Sequence, residues 1–215
     1  MPVYLVLGAG PGLGLAVARR FAVGGYAVAL ACRHASEAAP LAEALGAEGF
    51  DAYGVGVDLA APDDVQSVVR GVGERHGSID VLHFHPSVWR EQDPLHLTVA
   101  ELLEDVAIGA GALLPAVQAA RPYMSAGSRV LVTGSAAADT PWHGAASLGV
   151  QKAAVRNLVT SLDATLAAEG IRAVAVQING LLGEEPFTPP RIAEAMWDAV
   201  ARSDDAWTPH VPYNR

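Results

Sequence analysis

The sequence predicts a doubly wound α/β fold, one parallel sheet covered by helices on both faces. Three observations predict it. Short apolar runs alternate with segments of helical period along the whole chain, and strict alternation of strand and helix calls for right-handed crossovers between parallel strands. The runs are apolar at almost every position, as in "YLVLG" and "YAVALA", where a strand with one wet face would alternate. The turn "GAGPGLG" then closes the first run and opens the first helical segment.

The elements follow in order. Strands are expected at 2–7, 26–31, 51–57, 79–84, 128–133 and 171–178, with helices at about 12–24, 37–48, 62–75, 98–124, 145–169 and 189–202. Thr98 and Glu101 have the spacing of a capping box, and Pro62 and Pro189 suit first-turn positions. Gly109, Gly111 and Pro115 should bend the helix from 98 to 124. Beyond residue 178 no further run reads convincingly as a seventh strand. No linker, repeat or low-complexity block divides the sequence, so residues 1–215 read as one domain with a full core.

Composition narrows the function classes. With 51% hydrophobic and 17% charged residues the chain is a packed globular protein, and a net charge of −9 argues against a nucleic-acid partner. The chain enters its first strand at once, without the basic start and cleavage site of a signal peptide. The uncharged stretch 106–120 is interrupted by glycines and Pro115 and is too short to span a bilayer. Cys32 is the one cysteine, which excludes an internal disulfide and fits a reducing compartment. A cytoplasmic protein with no membrane or nucleic-acid partner is expected.

The glycine turn carries the first functional signal. Gly8, Gly10, Gly12 and Gly14, with Leu13 between the last two, let the chain turn tightly and let a pyrophosphate approach the backbone, while the helix that follows offers free N–H groups and a favourable dipole. This is the fingerprint of a Rossmann dinucleotide-binding fold. Tight strand-to-helix turns can want glycine for their own sake, but the strand–turn–helix context agrees with a cofactor. About twenty residues on, where an NAD-binding protein usually places an acid for the ribose hydroxyls, the chain reads Cys32, Arg33, His34. A guanidinium there can grip a 2′-phosphate, so NADP(H) is expected over NAD(H). At the end of the third strand Asp58, followed by Leu59, can accept from the adenine amino group or cap the next helix.

These residues resemble the short-chain dehydrogenase/reductase (SDR) family from residue 2 to about residue 202. The spacing Gly8, Gly12, Gly14 is similar, as are Asp58-Leu59, the strand "IDVLHF" and the strand "VLVTGS" ending in Ser135. The resemblance implies an oxidoreductase in which a serine polarises the substrate carbonyl, a tyrosine protonates its oxygen, and a lysine four residues later binds the nicotinamide ribose and lowers the tyrosine pKa. Ser135 and Lys152 match this scheme. Position 148, thirteen residues after Ser135, is leucine. Phe84, His85, Pro86 and Ser87 stand where the family usually writes Asn-Asn-Ala-Gly, and Ala107 where it has a relay asparagine. An atypical member is implied, with a short substrate lid at about 180–190 that carries Leu181, Leu182 and Phe187, and a homo-oligomer that uses the helix from 98 to 124.

Lys152 is the only lysine among fourteen basic residues, so a general solubility role explains it poorly. It is expected to matter more for cofactor affinity than for folding. Leu148, Lys152, Val155 and Val159 recur on one helical face. A replacement acid is sought among the histidines: His143 follows Ser135 in the loop "ADTPWHGAA", and His83 and His85 alternate on a strand and so face the same way. Ser135, Lys152 and His143 are therefore the candidate catalytic residues. Three functions are consistent with them. The first is an NADP(H)-dependent oxidoreductase acting on a small apolar carbonyl, enone or imine. The second is a non-redox cyclase, isomerase or dehydratase on the same scaffold. The third is a cofactor-binding protein without chemistry.

Overall fold

Strands this apolar need cover on both faces. In the computed structural model, which describes residues 1–214, they have it. The strands β1 (Val3–Leu7), β2 (Ala27–Cys32), β3 (Ala52–Gly56), β4 (Val81–Phe84), β5 (Arg129–Ser135), β6 (Arg172–Ile178) and β7 (His210–Tyr213) form one sheet in the order β3-β2-β1-β4-β5-β6-β7. Every neighbouring pair is parallel. The helices are α1 (Leu13–Val23), α2 (Ala35–Ala47), α3 (Pro62–His76), α4 (Val99–Val106), α5 (Leu113–Ala120), α6 (Ala146–Leu166) and α7 (Pro189–Ala201).

The two-residue period of a strand divides the core in two. Val3, Leu5 and Leu7 face α3, α5 and α6 and pack with Val69, Leu113 and Val159. Tyr4 and Val6 face α1, α2 and α7 and pack with Phe21, Leu41 and Met196. Thr98 and Glu101 form the expected capping box, and Pro62 and Pro189 occupy first-turn positions. No helix among the described residues is long and apolar enough to cross a membrane.

Two expectations are corrected. A seventh strand exists: β7 pairs with β6 from His210 opposite Ala175 to Tyr213 opposite Ile178. It is four residues long and contains Pro212, which an edge strand tolerates because one row of its N–H groups has no neighbour. Its anchor lies elsewhere in the chain: the Trp207 indole donates to Asp163 and is ringed by the guanidiniums of Arg129, Arg172 and Arg202 at 4.8–5.1 Å. The single helix expected from 98 to 124 is interrupted rather than merely bent, by a π-helical turn at Ala107–Gly111 between α4 and α5. Gly109 lies in that turn against α6, where a Cβ would collide with the Gln151 side chain.

Candidate active site

Strand order reverses direction between the neighbouring strands β1 and β4. Crossovers leave these strands in opposite directions, so their carboxyl ends part and leave a crevice. A cleft of about 730 Å³ opens there. Its walls come from the ends of four strands: Gly8 and Ala9 after β1, Arg33 after β2, Asp58 and Leu59 after β3, and the segment from His85 to Arg90 after β4.

The glycine turn forms one end. Gly8 has φ +81°, which disfavours any side chain, and a Cβ there would press on Pro86 at 3.1 Å. Around Gly10 and Gly12 an added Cβ would meet nothing within 4 Å, so the backbone is bare on that side. Leu13 turns its own side chain into the core and offers only its N–H. Among the described residues no side chain caps α1, which leaves its first N–H groups and the positive end of the helix to an anion. Bare backbone, free donors and a helix N-terminus, adjoining the cleft wall at Gly8 and Ala9, fit a dinucleotide pyrophosphate.

Arg33 stands exposed at the rim and has no ion pair among the described residues. Glu37, which sequence reasoning passed over, shares that wall. Its carboxylate accepts the His34 N–H at 3.3 Å in the capping box of α2, and the spacing from His34 to Glu37 was the signal available for it. Asp58 remains exposed to the cleft while its Oδ1 accepts the Ala60 N–H at 2.9 Å, so it braces the turn before α3 rather than capping the helix itself.

The segment after β4 is clamped from three sides. Gln151 makes a two-bond clasp on Val88, accepting its N–H at 3.0 Å and donating to its carbonyl at 3.1 Å. Arg90 grips the buried Asp105 bidentately at 2.8 and 2.9 Å, and the guanidinium holds that carboxyl below its usual range. Lys152 Nζ donates to the carbonyls of Pro86 at 3.1 Å and Thr133 at 3.2 Å. The lysine therefore ties β5 to the cleft wall, a share in the fold that its sequence position did not suggest.

Burial lowers the Lys152 pKa from 10.5 to about 8. A group whose folded pKa is depressed adds stability that is complete above its unfolded pKa and is lost as pH falls through the folded one. The stability of the natural protein relative to Lys152→Met is therefore expected to rise by up to about 3 kcal/mol between pH 8 and 10.5. Urea melts of both proteins across that window test this, and a difference independent of pH would show that the ammonium is not desolvated.

The remaining predicted residues separate into two places. Ser135 ends β5 half-buried, its Oγ accepting the Ala137 N–H at 3.2 Å with the hydroxyl proton free to donate. Leu148 lies half-buried one turn before Lys152 on α6. His143 is exposed and lines a second, apolar groove with Leu97, Leu102, Trp142 and Val150; Ser135, Leu148 and Lys152 are in the walls of neither this groove nor the first cleft. Trp142 of that groove stacks at 5.6 Å on Trp89 of the cleft, so an aromatic pair separates the two spaces. No group of three or more His, Cys, Asp or Glu among the described residues is placed to hold a metal ion.

A parallel sheet in this order, with a glycine turn at its switch point, defines the nucleotide-cleft class of α/β proteins. Within that class the chain belongs to the short chain dehydrogenase family, whose profile it matches over residues 2–183. It is 34% identical over 177 residues to a cis-4-hydroxycyclohexanecarboxylate dehydrogenase of Sinomonas cyclohexanicum, a match covering 81% of this chain and 71% of that protein. It is 40% identical over 81 residues to a putative ketoacyl reductase of the granaticin polyketide synthase of Streptomyces violaceoruber, covering 38% of this chain and 30% of that one. Among solved structures, a double mutant of a Serratia marcescens short-chain dehydrogenase/reductase superposes with TM-score 0.89 at 23% identity, covering 99% of this chain and 96% of that one. A metagenomic short-chain oxidoreductase in complex with NADP superposes equally well, at 24% identity and the same coverage.

Proposed function

We propose that the protein is an NADP(H)-dependent oxidoreductase acting on a small apolar carbonyl, enone or imine. The observation that carries this reading is the cleft that Gly8, Ala9, Arg33, Asp58 and Leu59 line together, with the bare turn at Gly10 and Gly12 and the uncapped N-terminus of α1 following directly on Ala9. The N–H groups around Gly10 to Gly14 would hold the pyrophosphate, Arg33 the 2′-phosphate, and Asp58 with Leu59 the adenine, while Lys152 stands behind the floor for the nicotinamide ribose. A bound NADPH supplies the hydride. On a carbonyl or enone Ser135 would donate a hydrogen bond to the substrate oxygen and orient it, without giving up its proton. Leu148 has no proton to give, which makes this an atypical site and favours an activated C=C or an iminium, whose reduction needs no strong acid. The position of His143 in the apolar groove favours Ser135 over it as the residue that meets the substrate.

Relatives named for ketoacyl reduction and for dehydrogenation of a hydroxycyclohexane carboxylate support a carbonyl or alcohol as the reacting group. We assign residues 180–190 as a short lid: Leu181 and Leu182 are exposed, and Tyr213 pins its base by donating to the Pro186 carbonyl at 3.0 Å and packing on Phe187. The exposed Val99, Leu103 and Val150 on α4 and α6 favour a homo-oligomer.

The cofactor preference is tested by calorimetry. NADPH is expected to bind more tightly than NADH, and Arg33→Ala to lose roughly 10- to 100-fold in NADPH affinity with little change for NADH, as for a lost hydrogen-bonded charge. Equal affinities in the unaltered protein would instead give the rim to Glu37, whose carboxylate suits ribose hydroxyls.

A further inference from the structure

We infer that His85 is a phosphate-binding residue: a buried hydrogen-bond chain holds it as a neutral imidazole with its Nε2–H turned to the cleft, where it donates to the pyrophosphate of a bound dinucleotide. The inference rests on the dinucleotide reading above and adds a donor to it that neither the glycine turn nor Arg33 supplies.

The chain runs through three strands on the α1 side of the sheet. Tyr4 Oη on β1 lies 2.5 Å from His83 Nδ1 on β4, His83 Nε2 lies 2.8 Å from Thr133 Oγ1 on β5, and Thr133 Oγ1 lies 2.7 Å from His85 Nδ1. Tyr4 and His83 are fully buried. Its protons have one consistent order. The Tyr4 hydroxyl has no other partner among the described residues, and a buried O–H must be satisfied, so it donates to His83 Nδ1. His83 is neutral, because burial foremost, then His85 and Lys152, hold its pKa well below the usual value. Its one hydrogen is therefore on Nε2 and points at Thr133. The threonine hydroxyl, having accepted there, donates onward to His85 Nδ1. Burial and the Lys152 charge lower the His85 pKa to about 4, so this ring too is neutral and carries its hydrogen on Nε2.

The position of the ring says what that hydrogen meets. His85 lines the cleft, and its Cδ2, the neighbour of Nε2, lies 3.4 Å from where a Gly14 Cβ would stand. It thus sits against the first turn of α1, whose free N–H groups are the pyrophosphate donors. A proton relay to substrate is the competing use of such a chain. Its far end decides against that: passing a proton out through His85 would leave a phenolate at Tyr4, which is fully buried and whose pKa burial raises well above the usual value. The chain sets an orientation.

The test is the tautomer, read on protein labelled with ¹⁵N-histidine. Long-range ¹H–¹⁵N spectra separate the two neutral tautomers, and His83→Phe and His85→Phe assign their two signals among the seven histidines. In the free protein between pH 6 and 8 His85 is expected as the Nε2–H form, and saturation with NADPH, NADH or ADP is expected to move its Nε2 signal, because all three carry the pyrophosphate. Thr133→Val, which breaks the middle of the chain, is expected to weaken ADP and NADPH alike by about tenfold. An Nδ1–H form in the free protein overturns the inference, as does a His85 signal that stays in place at NADPH saturation. Movement with NADPH but not with saturating ADP overturns the pyrophosphate assignment. If Thr133→Val does not fold, the tautomer and the ligand shifts in the unaltered protein still decide. A spectrum that no dinucleotide moves at any histidine, together with no heat of binding, is the separate result that removes the dinucleotide reading itself.

Discussion

Asp163→Ala is expected to destabilise the protein by roughly 3–5 kcal/mol, the range for removing one partner from a buried ion pair. Asp163 is 7% exposed and its two oxygens serve four donors. Arg172 donates through Nε at 2.9 Å and Nη2 at 2.8 Å, Ala173 through its N–H at 2.9 Å, and Trp207 through Nε1 at 3.0 Å. Truncation leaves the indole and amide donors without an acceptor. It also removes the innermost counter-charge from a site where Arg129, Arg172 and Arg202 converge on one indole ring. Desolvation pushes the Asp163 pKa up, but the bonds from Arg172, Ala173 and Trp207 outweigh it and the net shift is downward. Its contribution is therefore complete above the unfolded carboxylate value of about 3.9 and is lost as pH falls through the lower folded value. Urea midpoints at unchanged slope measure the difference at pH 7, and the gap between the two proteins should shrink as the solution is acidified below about pH 4. A loss under about 1 kcal/mol, typical of an exposed pair, would mean that water satisfies these donors and that β7 is held by its pairing with β6 alone.

The same cluster explains why β7 was illegible. Apolar runs reveal β1, β2, β4, β5 and β6 because nearly every position in them is dry, whereas "HVPY" opens on a histidine, contains a proline and packs only the partly buried Val211 and Tyr213 against the core. What fixes it is Asp163 on α6 meeting Trp207 across 44 residues of chain, a partnership with no local signature. The long helix shows the same division. Gly109, Gly111 and Pro115 announce a bend, but not the π-helical turn found there, nor the packing of Gly109 against Gln151 of α6.

The candidate site divides along the same line. The glycine turn and the Arg33 position are readable because their chemistry is written in consecutive residues at a strand end. Alternation places His83 and His85 on one face, yet nothing in the sequence puts the Thr133 hydroxyl between them; that needs the register in which Leu131 stands opposite His83. Lys152 was legible as an outlier of composition. Its two carbonyl partners were not, because backbone acceptors leave no trace in a sequence.

Leu148→Tyr is expected to speed NADPH-dependent reduction of an activated ketone by some part of the factor of about 10² to 10⁴ that a positioned general acid contributes. The substitution puts a phenol one helical turn before Lys152, whose positive charge lowers its pKa, and on the helix that packs against β5, which ends in Ser135. Leu148 is half-buried, so the larger side chain has an open side to grow into and need not displace the core. Two features hold the gain below the upper end. Phe84, at the position where the resemblance led us to expect asparagine, is fully buried in the core on the α6 side, and Ala107 is exposed at the start of the π-helical turn; neither offers a polar group to resupply the phenol's proton. The measurement is NADPH oxidation followed by absorbance with one reactive diketone, on both proteins, after calorimetry has shown that each binds NADPH. A rate gain of tenfold or more establishes that the geometry for carbonyl reduction persists around a missing acid. No gain in a folded variant that still binds NADPH means that the space beside Ser135 no longer accepts a carbonyl in that pose, and isomerisation, dehydration or cyclisation on this scaffold then becomes the stronger reading.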